Sequence, residues 1–161
     1  MTTETLTVVL KSAAFQEGQP IPKQCTGDGR NVSPPLKWRD PPAGTRSLAL
    51  ICEDPDAPRG TWTHWVLFNL PAQAREVPEN VPARETLPDG SVQGKNDFKK
   101  IGYGGPAPPP GKPHRYYFKL YTLDARLDLK PGATRQQVLA AMSGHVLGQG
   151  QLMGTYGRSG K

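Results

Sequence analysis

Asp54, His64, His114 and Tyr116 are the residues best placed to do chemistry, because each stands near one end of a short apolar run. Side chains two apart on a strand share a face. That periodicity gives three rows: Leu48, Leu50, Cys52 and Asp54; Trp62, His64, Val66 and Phe68; His114, Tyr116, Phe118 and Leu120. If all three rows face inward, their polar ends meet at one rim of the core. Apolar walls with a few convergent polar groups are the signature of a ligand pocket. In such a rim Asp54 accepts a hydrogen bond from one ring nitrogen of a histidine, fixing its tautomer and raising its basicity. The second histidine and the phenol add donors. A histidine with an ordinary pKa near ~6.5 can take a proton when an anion arrives. The expected chemistry is a small anion site.

Each residue alone has a plainer reading. Asp before Pro is a turn former, histidine in a strand is commonly a satisfied half-buried residue, and tyrosine there usually packs. It is the coincidence across three strands that supports a pocket.

Other chemistries fit less well. Asp54, His64 and His114 would make a facial triad for a metal-dependent enzyme, but the H-x-D spacing of many such iron sites is absent. No G-x-S-x-G is present, and Ser33 sits in a Pro-rich loop, so a serine hydrolase has no support. Cys25 and Cys52 belong to no C-x-x-C pair and have no metal-ligand neighbours. They read as two partly buried thiols in a reducing compartment. No cofactor, metal or catalytic residue is expected.

The elements that must position these residues are mostly strands. Leu6–Leu10, Ser47–Cys52, Thr61–Leu70 and His114–Tyr121 are short runs rich in β-branched and aromatic residues. Asp54-Pro-Asp-Ala-Pro58 halts the second, and Pro71 the third. Residues 16–35 and 71–113 are dense in Gly and Pro and read as irregular. Gln151–Tyr156 alternates weakly and is a candidate last strand. Arg135 to Ser143 is the one clear helix. Thr134 and Gln137 form a capping box, Val138, Leu139 and Met142 form an apolar stripe, and Gly144 supplies the stop. With no repeat and no long linker, residues 1–161 read as a single, mainly β domain.

Composition agrees. The 18 Gly and 18 Pro punctuate apolar runs without forming a repeat, which excludes collagen-like and low-complexity chains. The net charge is +6, but Lys and Arg are dispersed and the densest pair is Lys99-Lys100. No basic stretch alternates with aromatics, so a nucleic-acid partner is not expected. The N-terminus has neither a basic nor an apolar region of a secretory leader, and no apolar run reaches the ~18 residues of a membrane helix. A cytoplasmic protein without stable membrane insertion is the expectation.

Three ordered blocks make a family recognisable. Asp54-Pro-Asp-Ala-Pro58 followed by Trp62-Thr-His64-Trp-Val66 resembles the first signature of the phosphatidylethanolamine-binding proteins, which include the Raf kinase inhibitor proteins. Gly102-Tyr-Gly-Gly-Pro-Ala-Pro-Pro-Pro-Gly111 followed by His114-Arg-Tyr-Tyr-Phe118 resembles the second. Cys25-Thr-Gly-Asp-Gly-Arg-Asn-Val-Ser-Pro-Pro-Leu-Lys-Trp38 is similar to the upstream segment of the bacterial branch, and the match runs in register from about residue 10 to the C-terminus.

The resemblance implies two antiparallel sheets with Greek-key connections and one or two short helices. It also implies a pocket for phosphate, phosphoryl head groups or carboxylates. Asp54 and Pro58 stand at its mouth, Trp62 is an apolar wall, His64 is a donor, Ala107, Pro108 and Pro109 offer backbone, and His114 and Tyr116 complete it. Arg115 is expected on the opposite face, paired with a carboxylate, and a cis bond is expected before Pro58. A small anionic ligand is the implied partner. Family members elsewhere suggest a protein partner too, a kinase or protease held through the Pro-rich loop 106–113, and bacterial relatives suggest a homodimer. The sequence shows no counterpart after Tyr156 of the C-terminal helix of eukaryotic members, so no lid or kinase-docking role is expected from one. Ala107 stands where many bacterial members carry Cys, so no redox role is expected there.

Overall fold

A computed structural model describes residues 5–158. Residues 1–4, which open the segment expected to lack a secretory leader, and residues 159–161 lie outside the described residues. The elements in chain order are β1 (Leu6–Thr7), β2 (Leu10–Lys11), β3 (Leu36–Trp38), β4 (Ser47–Asp54), β5 (Trp62–Pro71), β6 (Glu76–Val77), β7 (Val92–Gln93), β8 (His114–Leu123), α1 (Arg135–Met142) and β9 (Val146–Tyr156). One sheet runs β1-β9-β8-β4-β5-β7 and the other β2-β3-β6. The link from β7 to β8 passes over β5 and β4 to reach the far side of β4, the crossing that Greek-key connections require.

The mainly β expectation holds, and the long runs become the long strands. β4 is buried along its whole length because it lies between β5 and β8 and is covered on both faces. One face packs against the small sheet: Leu48, Leu50, Cys52, Trp65, Phe118 and Leu120 meet Leu10, Leu36, Trp38 and Val77. The other carries Ala49, Ile51, Val66, Phe68 and Leu123 beneath Val138 and Met142 of α1. Full burial of each large side chain contributes about 1.5–3 kcal/mol relative to exposure. The helix is built as its capping box predicts: Gln137 N donates to Thr134 Oγ1, and Thr134 N donates to Gln137 Oε1.

Two expectations fail locally. The first strand is not continuous. Leu6–Thr7 pairs with β9, and Leu10–Lys11 pairs with β3 in the other sheet. The chain crosses between sheets at Val8-Val9, so one apolar run feeds two edges. The β1–β9 pair is parallel, so the larger sheet is not wholly antiparallel. Gly150 of β9 permits this crossing, because a Cβ there would collide with the Val8 carbonyl. Short strands β3, β6 and β7 were also not legible as strands, being two or three residues long. Among the described residues no helix is long and apolar enough to cross a membrane.

Candidate functional site

The three rows converge, though one does so by a route that alternation does not predict. On β4, Asp54 continues the face of Leu48, Leu50 and Cys52, and it lies opposite Trp62 of β5. On β8, His114 and Tyr116 continue the face of Phe118 and Leu120. On β5 the row Trp62, His64, Val66, Phe68 is broken. Cys52 faces Trp65 while Glu53 faces Thr63, so His64 is an extra residue, a β-bulge. The bulge flips the alternation. His64 and Trp65 both serve the inter-sheet face, whereas Val66 and Phe68 turn to the helix side.

The result is a cavity of about 210 Å³ lined by Asp54, Pro58, Trp62, His64, Ala107, Pro108, Pro109, His114 and Tyr116, all nine residues expected there. Ala57 and Phe98 complete it. Phe98 sits in the turn after Asn96, where the Asn96 side chain accepts from Phe98 N and Lys100 N. Its ring meets Trp62 at 5.4 Å and His64 at 5.5 Å, both edge-to-face, and remains 39% exposed. An apolar aromatic in the polar run Asn96-Asp-Phe-Lys-Lys100 was the available signal for it.

The polar groups are individually fixed. His114 Nδ1 donates to Asp54 Oδ2 at 2.7 Å, and Asp56 N donates to Asp54 Oδ1 at 2.7 Å. Asp54 is 3% exposed, so its carboxylate holds two partners and little water. His64 Nδ1 donates to the Gly104 carbonyl at 2.6 Å. Burial holds the His64 pKa below its ordinary value, against the opposing pull of that carbonyl. A neutral His64 therefore keeps its hydrogen on Nδ1 and offers a lone pair at Nε2. The Nδ1 hydrogen of His64 is spent on backbone, so a donor role toward a ligand falls to Nε2 and needs a second proton. Tyr116 stacks on His114 and meets His64 edge-on at 5.2 Å. Burial, with the Asp54 charge behind it, pushes the phenol far up, so Tyr116 stays protonated and can donate. Trp62, expected as an apolar wall, also carries a buried indole N–H that has no hydrogen-bond partner among the described residues.

The cis bond expected before Pro58 is absent, and every peptide among the described residues is trans. The chain turns here by other means. Asp54 closes a turn onto Asp56 N, and Gly60 N donates to the Ala57 carbonyl at 3.1 Å. Arg115 points away as expected and forks onto both Asp56 oxygens, at 2.8 and 3.0 Å. That guanidinium holds the Asp56 carboxyl down at about 2.

The segment 25–31 supports the pocket without entering it. Gly27 N donates to the Pro106 carbonyl, Asn31 Oδ1 accepts from Gly105 N, and Tyr103 Oη donates to the Cys25 carbonyl. Asp28 holds Arg158, whose Nη1 donates to the Pro108 carbonyl. The Pro-rich wall is thus pinned from behind. Burial pushes the Cys25 thiol up to about 11 and the Cys52 thiol well up, which leaves both unreactive. Among the described residues no three His, Cys, Asp or Glu side chains are grouped to hold a metal.

A two-sheet β fold with a small polar cavity at one end of the large sheet defines a class, and comparison with known proteins identifies it. The family model described as phosphatidylethanolamine-binding protein matches residues 11–157. The chain is 56% identical over 149 residues to the UPF0098 protein of Methanothermobacter thermautotrophicus, covering 92% of this chain and 98% of that one. It is 47% identical to the UPF0098 protein of Aquifex aeolicus, covering 91% and 86%. Among solved structures, Escherichia coli YbcL, described as a member of the mammalian PEBP family, superposes with a TM-score of 0.88 at 31% identity, covering 94% and 99%. A putative PEBP homologue from Chlamydia trachomatis, CT736, gives 0.86 at 40% identity, covering 96% and 100%. The chain belongs to the phosphatidylethanolamine-binding protein family.

Proposed function

We propose that this protein binds a small anionic ligand, a phosphoryl group foremost, in the cavity between Asp54, His64, His114 and Tyr116, and acts by binding rather than by catalysis. The observation that carries the reading is the convergence of two imidazoles, a phenol and a buried carboxylate on one cavity of about 210 Å³. That volume lies below the ~300–1,000 Å³ usual for drug-sized ligands, so it suits a head group rather than an acyl chain. Tyr116 Oη supplies one donor. His114 supplies a second at Nε2 when it is protonated, its Nδ1–H being held by Asp54.

Titration with phosphoethanolamine, followed by amide chemical shifts, tests this reading. Shifts should concentrate on the backbone of His64, His114 and the loop 105–110, and should be lost in His114→Ala. Shifts elsewhere, or unchanged in that variant, would count against it. The metal-dependent alternative is less favoured by the geometry, because Asp54 Oδ2 is engaged by His114 and His64 Nδ1 by a carbonyl.

A further inference from the structure

The cavity is short of positive charge for an anion site. Among the described residues neither Lys nor Arg lines it, and the one carboxylate that does is buried. Two cations close by, Arg115 and Arg158, are paired with Asp56 and Asp28, while Arg59 and Lys99, which follow the lining residues Pro58 and Phe98, are exposed to solvent. Its hydrogen-bonding groups lean the same way. Asp54 is an acceptor with lone pairs to spare after its two partners, and neutral His64 is an acceptor at Nε2. Tyr116 is a donor. A ligand that is only an acceptor would set its charge against a buried carboxylate, which is costly.

We infer that the pocket takes a phosphate monoester in its singly protonated form, and that Asp54 selects it by accepting a hydrogen bond from the ligand's P–OH. The inference rests on the anion-binding reading above and narrows its ligand class. The P–OH···carboxylate bond is charge-assisted, so the carboxylate that repels other anions becomes an attractive partner. The remaining phosphoryl oxygens face Tyr116 and His114. A phosphodiester, the form found in an intact phosphatidylethanolamine head group, has only one P–OH, which has lost its proton at neutral pH. Sulfate has none at neutral pH. Both should be rejected for the same reason. The titratable groups around Asp54 are His114 and Tyr116 from β8, His64 from β5 and Cys52 from its own strand, with Asp56 in the following turn and Asp97 behind His64.

Calorimetry with three soluble probes decides it. Phosphoethanolamine should bind at least about tenfold more tightly than glycerophosphoethanolamine or sulfate. Because the second pKa of a phosphate monoester is about 6, binding at pH 8 should take up close to one proton, and affinity should fall up to about tenfold per pH unit above 6. Asp54→Asn should bring the three ligands within about threefold, chiefly by strengthening sulfate and the diester. Sulfate binding as tightly as the monoester with the same proton uptake would put the proton on His114 and overturn the inference. So would an unchanged preference in a folded Asp54→Asn protein; if that variant does not fold, the wild-type comparison still decides. If no probe binds at all, the anion-binding reading itself falls. Vesicles separate the sources of the monoester. Phosphatidic acid displacing phosphoethanolamine, where phosphatidylcholine does not, supports a lipid monoester; displacement by neither supports a soluble one. Equal displacement by both overturns the inference.

Discussion

Glu53 and Asp54 are neighbours on β4, both nearly buried, and they face opposite sides of the sheet. Glu53 meets Arg135 at 3.2 Å and Lys119 at 3.7 Å, two permanent cations on a surface covered by α1. Asp54 has one histidine, one backbone amide and a cavity. The first carboxylate is matched in charge and closed to small molecules. The second is matched only when a proton is supplied. One strand thus carries a structural acid and a binding acid, distinguished by their partners rather than by depth.

The sharpest way to test this contrast is to remove partners from each side. His114→Ala should weaken phosphoethanolamine binding by more than about tenfold, since a buried charge-assisted donor contributes about 1.5–3 kcal/mol. Arg135→Ala, on the other face, should change affinity less than twofold. Equal losses in both variants would show that the two faces are not independent.

Stability should show the reverse. Glu53→Gln leaves Arg135 and Lys119 without their counter-charge. Both are about a quarter exposed and can regain water, at 27% and 25%, so the loss should be about 1–3 kcal/mol rather than the larger penalty of a sealed pair. Asp54→Asn removes a poorly compensated charge and keeps the acceptor for Asp56 N, while His114 can switch tautomer and accept from the new amide, so denaturant unfolding should place it within about 1 kcal/mol of wild type. A larger loss in Asp54→Asn than in Glu53→Gln would invert the comparison.

A smaller effect is expected from the cap that holds Arg135 in place. Thr134→Ala removes the acceptor for Gln137 N and should cost about 1 kcal/mol, with ligand affinity unchanged. An affinity loss would mean that the helix side reaches the pocket through β4.

Much of this was legible in the residues, and the failures at the site fall where a strand departs from strict alternation or a side chain leans on a distant backbone group. The rows ending at Asp54 and His114 read correctly because β4 and β8 alternate unbroken through the site. The helix read correctly because a capping box is local chemistry. β5 did not, because it carries two irregularities: Leu48 faces Leu70 while Leu50 faces Leu67, and His64 is an added residue near the other end. Nothing local marks a bulge at Thr-His-Trp. Asn69, at positive φ beside the other irregularity, is a residue type that tolerates it, but it resembles any polar strand residue in the sequence. The Gly104 carbonyl that turns His64 from donor to acceptor lies 40 residues away, and no side-chain pattern announces a backbone partner.

That carbonyl leads to the subtlest expected effect, a shift in a pH profile. His64 has a folded-state pKa below its unfolded value near 6.5, caused first by burial. The unfolded chain therefore binds more protons as pH falls through 6.5, and His64 supports the fold above that point and loses its contribution below it. Asp56 adds a second window by the same sign. Its carboxyl is held at about 2 by Arg115, so the stability it supplies is present above the ordinary 3.8 and drains away between there and about 2. The two windows open at different pH, near 6.5 and near 3.8, which lets one be removed without the other. His64→Asn places an amide nitrogen where Nδ1 stood, keeping the donor to Gly104 while removing the titration. Between pH 7 and 5 its unfolding free energy should decline less steeply than that of wild type, and both should fall together below pH 4. A wild-type curve that instead rises relative to the variant as pH falls through the upper window would mean that His64 holds its proton more tightly in the folded protein. It would then be a donor into the cavity, and the acceptor-rich pocket that demands a protonated ligand would lose one of its two acceptors.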